Sequence, residues 1–175
     1  WTELLRRFPD GRVSAIDFAP RMMEHAATRN RDRFDDRFAL HCADVLESGL
    51  PDASFDVIVS AYGLKTLSPE QTLRFADELV RLLRPGGRFA FIEVTEPSSR
   101  LLRAVYDFYL SKVLPIAGMV LVSDPEEYRM LHRYVRRYGD GSWSERALRA
   151  HPELSVESRR HFFGCATSFT GMRAA

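Results

Sequence analysis

Residues 55–95 read FDVIVSAYGLKTLSPEQTLRFADELVRLLRPGGRFAFIEVT, and this stretch decides the fold. Two apolar runs, at 55–64 and 88–95, flank an amphipathic segment. That segment begins with the capping signal Ser68-Pro69 and ends before Pro85, which predicts a helix. An apolar strand, a helix and a second apolar strand form a β-α-β unit, whose two strands lie parallel in a buried sheet.

Similar patterns before and after this unit predict the rest of the fold. Residues 12–19 and 38–44 are short apolar strands that carry an acid near their ends, with a helix over 21–34 between them. Aromatic-rich helices follow from residue 101 onward, and residues 155–175 read as two strands joined by a tight turn. This order predicts an α/β fold with a doubly wound, mostly parallel sheet and an antiparallel carboxy-terminal hairpin.

Composition indicates a single globular domain over residues 1–175, because a hydrophobic content of 45% is enough for a core. The net charge of +1 gives no basic field for neutralising phosphates, which excludes nucleic acid as a partner. Cys42 and Cys165 show neither a metal-ligand spacing nor a disulfide framework, which predicts no metal site and favours the reducing cytoplasm. The longest apolar run, at 113–122, is too short to span a bilayer.

Two acidic residues follow strands of the predicted sheet, at the carboxyl ends where ligands bind in open parallel sheets. Asp17 follows the first strand and is placed to accept hydrogen bonds from both hydroxyls of a nucleotide ribose. Asp44 follows the next strand, in reach of an adenine amino group. Either acid alone is explained equally well as a strand end or a helix cap. The pair favours an adenosine ligand, without separating a dinucleotide from other adenosine compounds.

The turn after the strand at residue 55 holds a second group of candidates. Gly63 would let the backbone approach a ligand, and Lys65 would place a cation where negative charge develops. An ordinary turn glycine and a surface lysine explain both residues equally well on position alone. Two later helices, over 101–112 and from Pro125 onward, carry tyrosines that are typical of a core but also suited to cover an aromatic substrate. These tyrosines are Tyr106, Tyr109, Tyr128, Tyr134 and Tyr138, of which the first three are predicted substrate contacts.

Together these motifs resemble class I S-adenosylmethionine-dependent methyltransferases, and specifically the ubiquinone/menaquinone biosynthesis C-methyltransferase family. The matching segments cover essentially the whole chain: AIDFAPRMM, ADV, FDVIVSAYGLKT, LLRPGGRFAFIEVTEP and YDFYLSKVLPIAGMVLVSDPEEYRML. The first four are widespread in such enzymes, whereas the last and the YGLKT element, similar to the family's FGLRN, are more specific. The resemblance implies a Rossmann-like fold, S-adenosylmethionine as cofactor, and a small aromatic or quinone-like acceptor that is methylated at carbon.

The resemblance also implies roles for individual residues. Lys65 stands where the family has an arginine suggested to assist deprotonation of the substrate ring, and Thr66 replaces the family's asparagine. Since a lysine is a poor base at neutral pH, the catalytic role expected of Lys65 is electrostatic support of a phenolate. The implied cofactor contacts are Asp17 and Phe18 at the ribose, Asp44 and Val45 at adenine, and Ala61 and Tyr62 near the sulfonium.

The family's first strand and its glycine-rich turn are absent from these residues. In the family this strand lies at the centre of the sheet, between the strands that begin here at residues 12 and 55. Without it both neighbours lose a row of ladder hydrogen bonds, and each unmet buried group costs about 1–3 kcal/mol. We therefore expect the 175 residues not to fold or methylate alone. A cooperative melt with ordinary cofactor affinity would contradict this.

Other functions remain compatible with the sequence. An NAD(P)-dependent oxidoreductase also holds a ribose at the position of Asp17, although the hairpin and the RPGG turn suit a methyltransferase better. A noncatalytic, methyltransferase-like binding protein would also lack the glycine-rich turn. A prenylated acceptor implies at most transient contact with a membrane surface, and no amphipathic anchor is evident. A homodimer is compatible with the sequence.

Overall fold

The computed structural model describes residues 2–30, 35–114 and 125–175. The chain divides into two compact units, Trp1–Leu50 and Pro51–Ala175. Both units combine helices with strands that form sheets, so the predicted α/β class is confirmed. A single domain over the whole chain stays a prediction. No helix of the described residues is long and apolar enough to cross a membrane.

The first unit contains a two-stranded sheet with helices. Its elements are α1 (Thr2–Arg7), β1 (Val13–Asp17), α2 (Pro20–Asn30), a 3-10 turn (Asp35–Arg37) and β2 (Phe38–Cys42). Strands β1 and β2 run parallel, with Asp17 opposite Cys42. The guanidinium of Arg37 donates hydrogen bonds to the carbonyl oxygens of Leu5 and Pro9, at 3.4 and 2.6 Å. This side chain therefore fastens the start of the chain to the start of β2.

The second unit contains a four-stranded mixed sheet. Its strands are β3 (Phe55–Ala61), β4 (Leu83–Val94), β5 (Leu154–His161) and β6 (Ala166–Arg173). Its helices are α3 (Pro69–Leu82), α4 (Arg100–Phe108) with a π-helical continuation (Tyr109–Val113), α5 (Pro125–Tyr138) and α6 (Ser142–Ala150). The strand order is β3-β4-β6-β5; β3 and β4 are parallel, and β6 is antiparallel to both neighbours. The predicted antiparallel hairpin is thus confirmed, and its last strand lies beside β4.

Helix α3 begins where its capping residues predict. The side-chain oxygen of Ser68 accepts a hydrogen bond from the backbone of Gln71 at 3.1 Å, and the Gln71 side chain accepts one from the backbone of Ser68 at 2.8 Å. The helix ends at Leu82, two residues before the predicted end at Arg84. Strand β4 follows the helix directly. Its pairing with β3 is interrupted at the RPGG turn, where Gly86 takes a left-handed φ of 76°.

The core of the second unit is aromatic. Phe91 of β4 lies opposite Phe169 of β6, and both side chains are fully buried. Phe75 of α3 packs on Phe91 with ring centroids 5.5 Å apart, and Phe89 stacks on the same ring at 5.1 Å. Burial of such rings is the largest single apolar contribution that a side chain makes to stability.

The structure corrects the sequence prediction at two places after β4. Helix α6 (Ser142–Ala150) was not predicted; it follows Gly141 and has no side-chain cap, so the usual start signal is missing. The helix predicted over 101–112 begins at Arg100 and changes to π geometry from Tyr109 to Val113. The break predicted near Pro115 and Gly118 lies outside the described residues.

Strands β1 and β3 are each paired on one edge only. No strand among the described residues pairs with the second edge of either. Val57 and Val59 of β3 are more than half exposed, which is unusual for valines in a sheet of this class.

Gly171 of β6 is the tightest backbone position in the second unit. A Cβ atom there would lie 1.9 Å from the backbone oxygen of Ser155 and 2.6 Å from the ring of Phe89. We expect Gly171→Ala to lower the free energy of unfolding by about 1–3 kcal/mol or more, since the sheet must open to admit the methyl group. Urea unfolding measures the change. Thr170→Ala, on the exposed face of the same strand, is the control and should shift stability by less than about 0.5 kcal/mol.

Candidate functional site

The first unit brings Asp17 and Asp44 to the same end of its sheet. The parallel register and a hydrogen bond from the backbone of Ala43 to the carbonyl oxygen of Asp17, at 3.2 Å, place both acids just past adjacent strand ends. Asp17 is half-buried and Asp44 is exposed. This arrangement is the one that the sequence predicts for an adenosine ligand, because parallel strands end at a common edge.

Each of the two carboxylates uses one oxygen to shape its own turn. Oδ1 of Asp17 accepts a hydrogen bond from the backbone of Ala19 at 2.8 Å, and Oδ1 of Asp44 accepts one from Leu46 at 2.9 Å. Neither Oδ2 atom has a hydrogen bond to a described residue. Turn formation and ligand binding are therefore compatible in these residues, since each acid keeps an oxygen for a donor from outside. Their predicted neighbours differ in burial: Phe18 is exposed and Val45 is half-buried.

In the second unit, the end of β3 turns sharply at Tyr62. Ala61 is exposed, and the backbone of Tyr62 donates a hydrogen bond to the carbonyl oxygen of Ile92 on β4 at 2.9 Å. Tyr62 has a φ of 65°, in the left-handed region that a bulky residue rarely adopts, and its side chain is 54% exposed. Such strained residues persist only where surrounding contacts hold them, and they concentrate at binding sites.

Lys65 is the residue that holds this turn. Its Nζ atom lies 3.1 Å from Oε1 of Glu93 and donates a second hydrogen bond to the carbonyl oxygen of Tyr62. The ammonium also lies 5.7 Å from the centroid of the Tyr62 ring, within cation–π range. The side chains of Lys65 and Glu93 are 7% and 0% exposed. The sequence left two alternatives for Lys65, a surface lysine or a cation available to the substrate. The structure shows a third arrangement, in which Lys65 is buried and paired with Glu93.

Glu93 is the functional candidate that sequence reasoning missed. Its Oε2 accepts a hydrogen bond from the backbone of Lys65 at 3.0 Å, and its Oε1 accepts one from Val94 at 2.8 Å. The buried carboxylate therefore fixes both the cation and the backbone of the turn after β3. A signal was present, because strand alternation puts Glu93 on the same inward face as Phe89 and Phe91. An acid at such a position requires a partner.

The predicted substrate tyrosines occupy different environments. Tyr106 is half-buried in α4, and burial raises the pKa of its phenol to about 12. It lines a shallow cleft whose other polar residues are Glu96, Arg103, Asp107, His132 and Arg136. Tyr109 is a little under half exposed, in the π-helical segment. Tyr128 belongs to α5, but its side chain lies outside the described residues.

A histidine that the sequence treated as structural joins the two helices of this cleft. His132 of α5 lies 2.7 Å from Oδ1 of Asp107 on α4, and Arg136 donates to the same oxygen at 3.1 Å. The hydrogen bond from His132, with a further contribution from Arg136, holds the pKa of Asp107 below its usual value. Helix α5 also packs against the turn at Leu64–Thr66. Glu96 of the cleft follows β4 as Lys65 follows the parallel strand β3, so the cleft lies at the same sheet end as Lys65.

The predicted site residues fall into two groups. The structure brings Asp17, Phe18, Asp44 and Val45 together in the first unit. It places Ala61, Tyr62 and Lys65 at one turn of the second unit, with Tyr106 and Tyr109 on a helix after the neighbouring strand. Among the described residues, no three histidine, cysteine or acidic side chains are grouped closely enough to hold a metal ion.

Several solved structures with this fold are methyltransferases. An O-methyltransferase family protein from Burkholderia thailandensis is 17% identical with a TM-score of 0.66, over 99% of this chain and 47% of that one. The N-methyltransferase NodS from Bradyrhizobium japonicum, in complex with S-adenosyl-L-homocysteine, is 18% identical with a TM-score of 0.56, over 93% and 66% of the two chains. At this identity the likeness shows the Rossmann-like methyltransferase fold alone.

Curated relatives are more similar in sequence. A demethylmenaquinone methyltransferase from Clavibacter sepedonicus is 32% identical over 164 residues, which cover 93% of this chain and 65% of the relative. Another from Lactococcus lactis is 27% identical over 160 residues, 91% of this chain and 63% of the relative. The chain thus spans less than two thirds of the length of either. The sequence model of the ubiE/COQ5 methyltransferase family matches residues 3–173, so the chain belongs to that family.

Proposed function

We propose that the protein is an S-adenosylmethionine-dependent methyltransferase that methylates a ring carbon of a small aromatic or quinone-like acceptor. Family membership supports the reaction class, and the names of the relatives support the acceptor class. The observation in the structure that carries the proposal is the pair Asp17 and Asp44 at adjacent parallel strand ends, each with one carboxylate oxygen without a described partner.

The first unit fits the adenosine part of such a cofactor. Asp17 would accept hydrogen bonds from the ribose hydroxyls, with Phe18 beside the sugar. Asp44 and Val45 would contact the adenine ring. The cofactor supplies a methyl group on a positively charged sulfonium, ready for in-line displacement. Ala61 and Tyr62 are proposed to lie near that sulfonium, where the exposed Tyr62 ring offers a π face to a cation.

The chain's own task is then to align the acceptor and to exclude water. Tyr106, Tyr109 and Tyr128 are proposed to contact the acceptor ring. The hydroxyl of Tyr106 donates its hydrogen to the carbonyl oxygen of Cys165 at 3.5 Å and keeps lone pairs that can accept a hydrogen bond from a hydroxyl of the acceptor. A cytoplasmic location and a homodimer stay predictions.

Lys65 is proposed to support methyl transfer. Its burial against Glu93 changes the role expected from the sequence. Because Glu93 neutralises its charge, Lys65 fits a positioning role better than direct stabilisation of a phenolate: it holds the strained Tyr62 turn. Its third ammonium hydrogen has no acceptor among the described residues.

We expect Lys65→Ala to lower turnover much more than cofactor binding, measured at a temperature where circular dichroism shows the variant folded. Lys65→Arg keeps the cation and is the matched control, which should retain most activity. An equal loss of turnover and cofactor affinity in Lys65→Ala, or no loss, would remove Lys65 from the mechanism.

The reaction itself is tested with the full-length protein, methyl-labelled S-adenosylmethionine and a reduced demethylmenaquinone. We expect a product heavier by one methylene group, with the label on a ring carbon in the NMR spectrum. Label on oxygen or nitrogen would overturn carbon methylation while leaving the methyltransferase in place. Cofactor binding without transfer to any reduced quinone would favour the noncatalytic alternative.

A further inference from the structure

Methylation of a ring carbon needs a group that accepts a proton. A phenol is a weak carbon nucleophile until its hydroxyl hydrogen is removed, because the electron pair left on oxygen activates the ring. Lys65 does not suit this task, since its ammonium forms a buried ion pair with the carboxylate of Glu93 at 3.1 Å. A proton acceptor at this end of the sheet therefore has to come from another side chain.

His132 and Asp107 form a histidine–carboxylate pair in the cleft between α4 and α5. Nε2 of His132 lies 2.7 Å from Oδ1 of Asp107, and the side chains are 27% and 34% exposed. The hydrogen bond from His132 lowers the pKa of Asp107, so the carboxylate is ionised and can only accept. The ring hydrogen therefore lies on Nε2, and Nδ1 carries a lone pair. Nδ1 has no hydrogen bond to a described residue.

The other charged side chains of the cleft are paired with one another. Arg136 lies 3.1 Å from Asp107 and 3.8 Å from Glu96, and Arg103 lies 3.6 Å from Glu96. Two guanidinium groups and two carboxylates thus balance each other around the imidazole. A carboxylate is a weaker base than an imidazole, and arginine partners weaken it further. Nδ1 of His132 is therefore the strongest base among the described side chains that line the cleft.

The helix that carries His132 is fixed to the sheet end at which methyl transfer is proposed. The backbone of Glu96, just after β4, donates a hydrogen bond to the carbonyl oxygen of Gly139 at 2.8 Å, directly after α5. Helix α5 also packs against the turn at Leu64–Thr66, which follows the parallel strand β3. The helix therefore contacts the segments that follow both parallel strands.

We propose that His132 is a catalytic residue of methyl transfer, with Nδ1 accepting the hydroxyl proton of the acceptor and Asp107 positioning the imidazole. The inference rests on the proposed function and names the base of the same site. The O–H bond of the acceptor breaks, its electron pair stays on oxygen, and an N–H bond forms on Nδ1. Asp107 stabilises the positive charge that this creates on the ring.

The proton balance of the whole reaction follows from this step. Once the ring carbon carries the methyl group, it releases its own hydrogen to water as a proton and becomes aromatic again. His132 then returns its proton to the oxygen of the product. One proton is therefore released in each turnover, and the imidazole is ready for the next acceptor.

His132→Gln in the full-length protein tests the proposal, because the glutamine amide can still donate to Asp107 but is not a base. We expect turnover to fall about a hundredfold or more, with the affinity for S-adenosylhomocysteine unchanged. Turnover is measured with methyl-labelled S-adenosylmethionine and two acceptors: a reduced demethylmenaquinone and its ring-fluorinated analogue, whose hydroxyl is more acidic. The loss should be several times smaller with the fluorinated acceptor, since a more acidic hydroxyl depends less on a base.

Asp107→Asn tests the positioning role separately. We expect turnover to fall about tenfold or more, because an asparagine amide can turn its donor toward Nε2 and favour the wrong tautomer. This loss should also be smaller with the fluorinated acceptor. Combining Asp107→Asn with His132→Gln should add little to the loss in His132→Gln alone, since both act through one proton transfer.

The matched control is His151→Gln, which should leave turnover unchanged. His151 also faces an aspartate, with Nε2 3.8 Å from Oδ1 of Asp77. It precedes β5, whose first residues lie beside the end of β6 and hence at the start of β4. This second pair is therefore at the opposite end of the sheet from the cleft.

The inference is overturned if His132→Gln keeps most of its turnover, or if it loses affinity for S-adenosylhomocysteine in parallel with turnover. It is also overturned if the loss is the same with both acceptors, because a purely structural link between α4 and α5 would slow both alike. Absence of transfer by the unaltered protein would overturn the proposed function and this inference together. Transfer that survives in His132→Gln would overturn this inference alone.

Discussion

Replacing Glu93 with alanine is expected to lower the free energy of unfolding by about 3–5 kcal/mol, because the change leaves the buried ammonium of Lys65 without its counter-charge. Lys65 Nζ lies 3.1 Å from the Glu93 carboxylate, and neither side chain is accessible enough for water to replace the partner. The backbone donors of Lys65 and Val94 lose their acceptor as well. Urea unfolding of the full-length protein measures the loss.

A surface pair of the same unit supplies the control. Arg84 and Asp56 lie 2.6 Å apart with side chains 52% and 76% exposed, so Asp56→Ala should cost less than about 1 kcal/mol. A loss in Glu93→Ala as small as in Asp56→Ala would show that water reaches the pair. Lys65→Met with Glu93→Gln keeps an acceptor for the backbone and removes both charges. We expect this double variant to be more stable than Glu93→Gln alone, which separates charge from backbone support.

The elements that could be predicted from sequence are those with strong local signals. Helix α3 has a complete capping box, and the apolar runs on either side of it form the predicted parallel pair β3 and β4. The expected burial holds for β4 but not for β3, where Val57 and Val59 are exposed. The hairpin follows from two strand-like runs and a glycine between them. Helix α6 has no side-chain cap, and the π geometry after Phe108 has no known sequence signature in this chain, so neither was predicted.

The residues of the candidate site also differ in whether a local sequence signal predicts them. Asp17 and Asp44 could be found because a strand end is a local feature and parallel pairing brings such ends together. The partner of Lys65 could not be named from position, because Glu93 lies 28 residues further along and meets it only through the β3–β4 pairing. The exposed apolar face of α4 (Leu101, Val105 and Phe108) was not predicted for a related reason. Its apolar residues look like core positions in sequence, and only the packing shows which face of α4 points outward.

Asp17→Ala is expected to weaken binding of S-adenosylhomocysteine by about a hundredfold, which is the effect expected for losing two charge-assisted hydrogen bonds to a ribose. Isothermal titration calorimetry of the full-length protein measures the affinity. Stability should change much less than affinity, because Asp17 is half-buried and makes one described hydrogen bond, to the backbone of Ala19. Asp17→Asn keeps an acceptor for that turn, so it isolates the contribution of the charge.

The control for this experiment is Asp10→Ala, an exposed acid of the same unit before β1, which should leave the affinity unchanged. If Asp17→Ala and Asp10→Ala bind S-adenosylhomocysteine equally well, the adenosine site is not at the end of β1. Asp44→Ala then distinguishes two explanations. A loss in Asp44→Ala alone would move the nucleoside toward β2, whereas no loss in either would remove this sheet end from cofactor binding, because an adenosine held there must contact at least one of the two carboxylates.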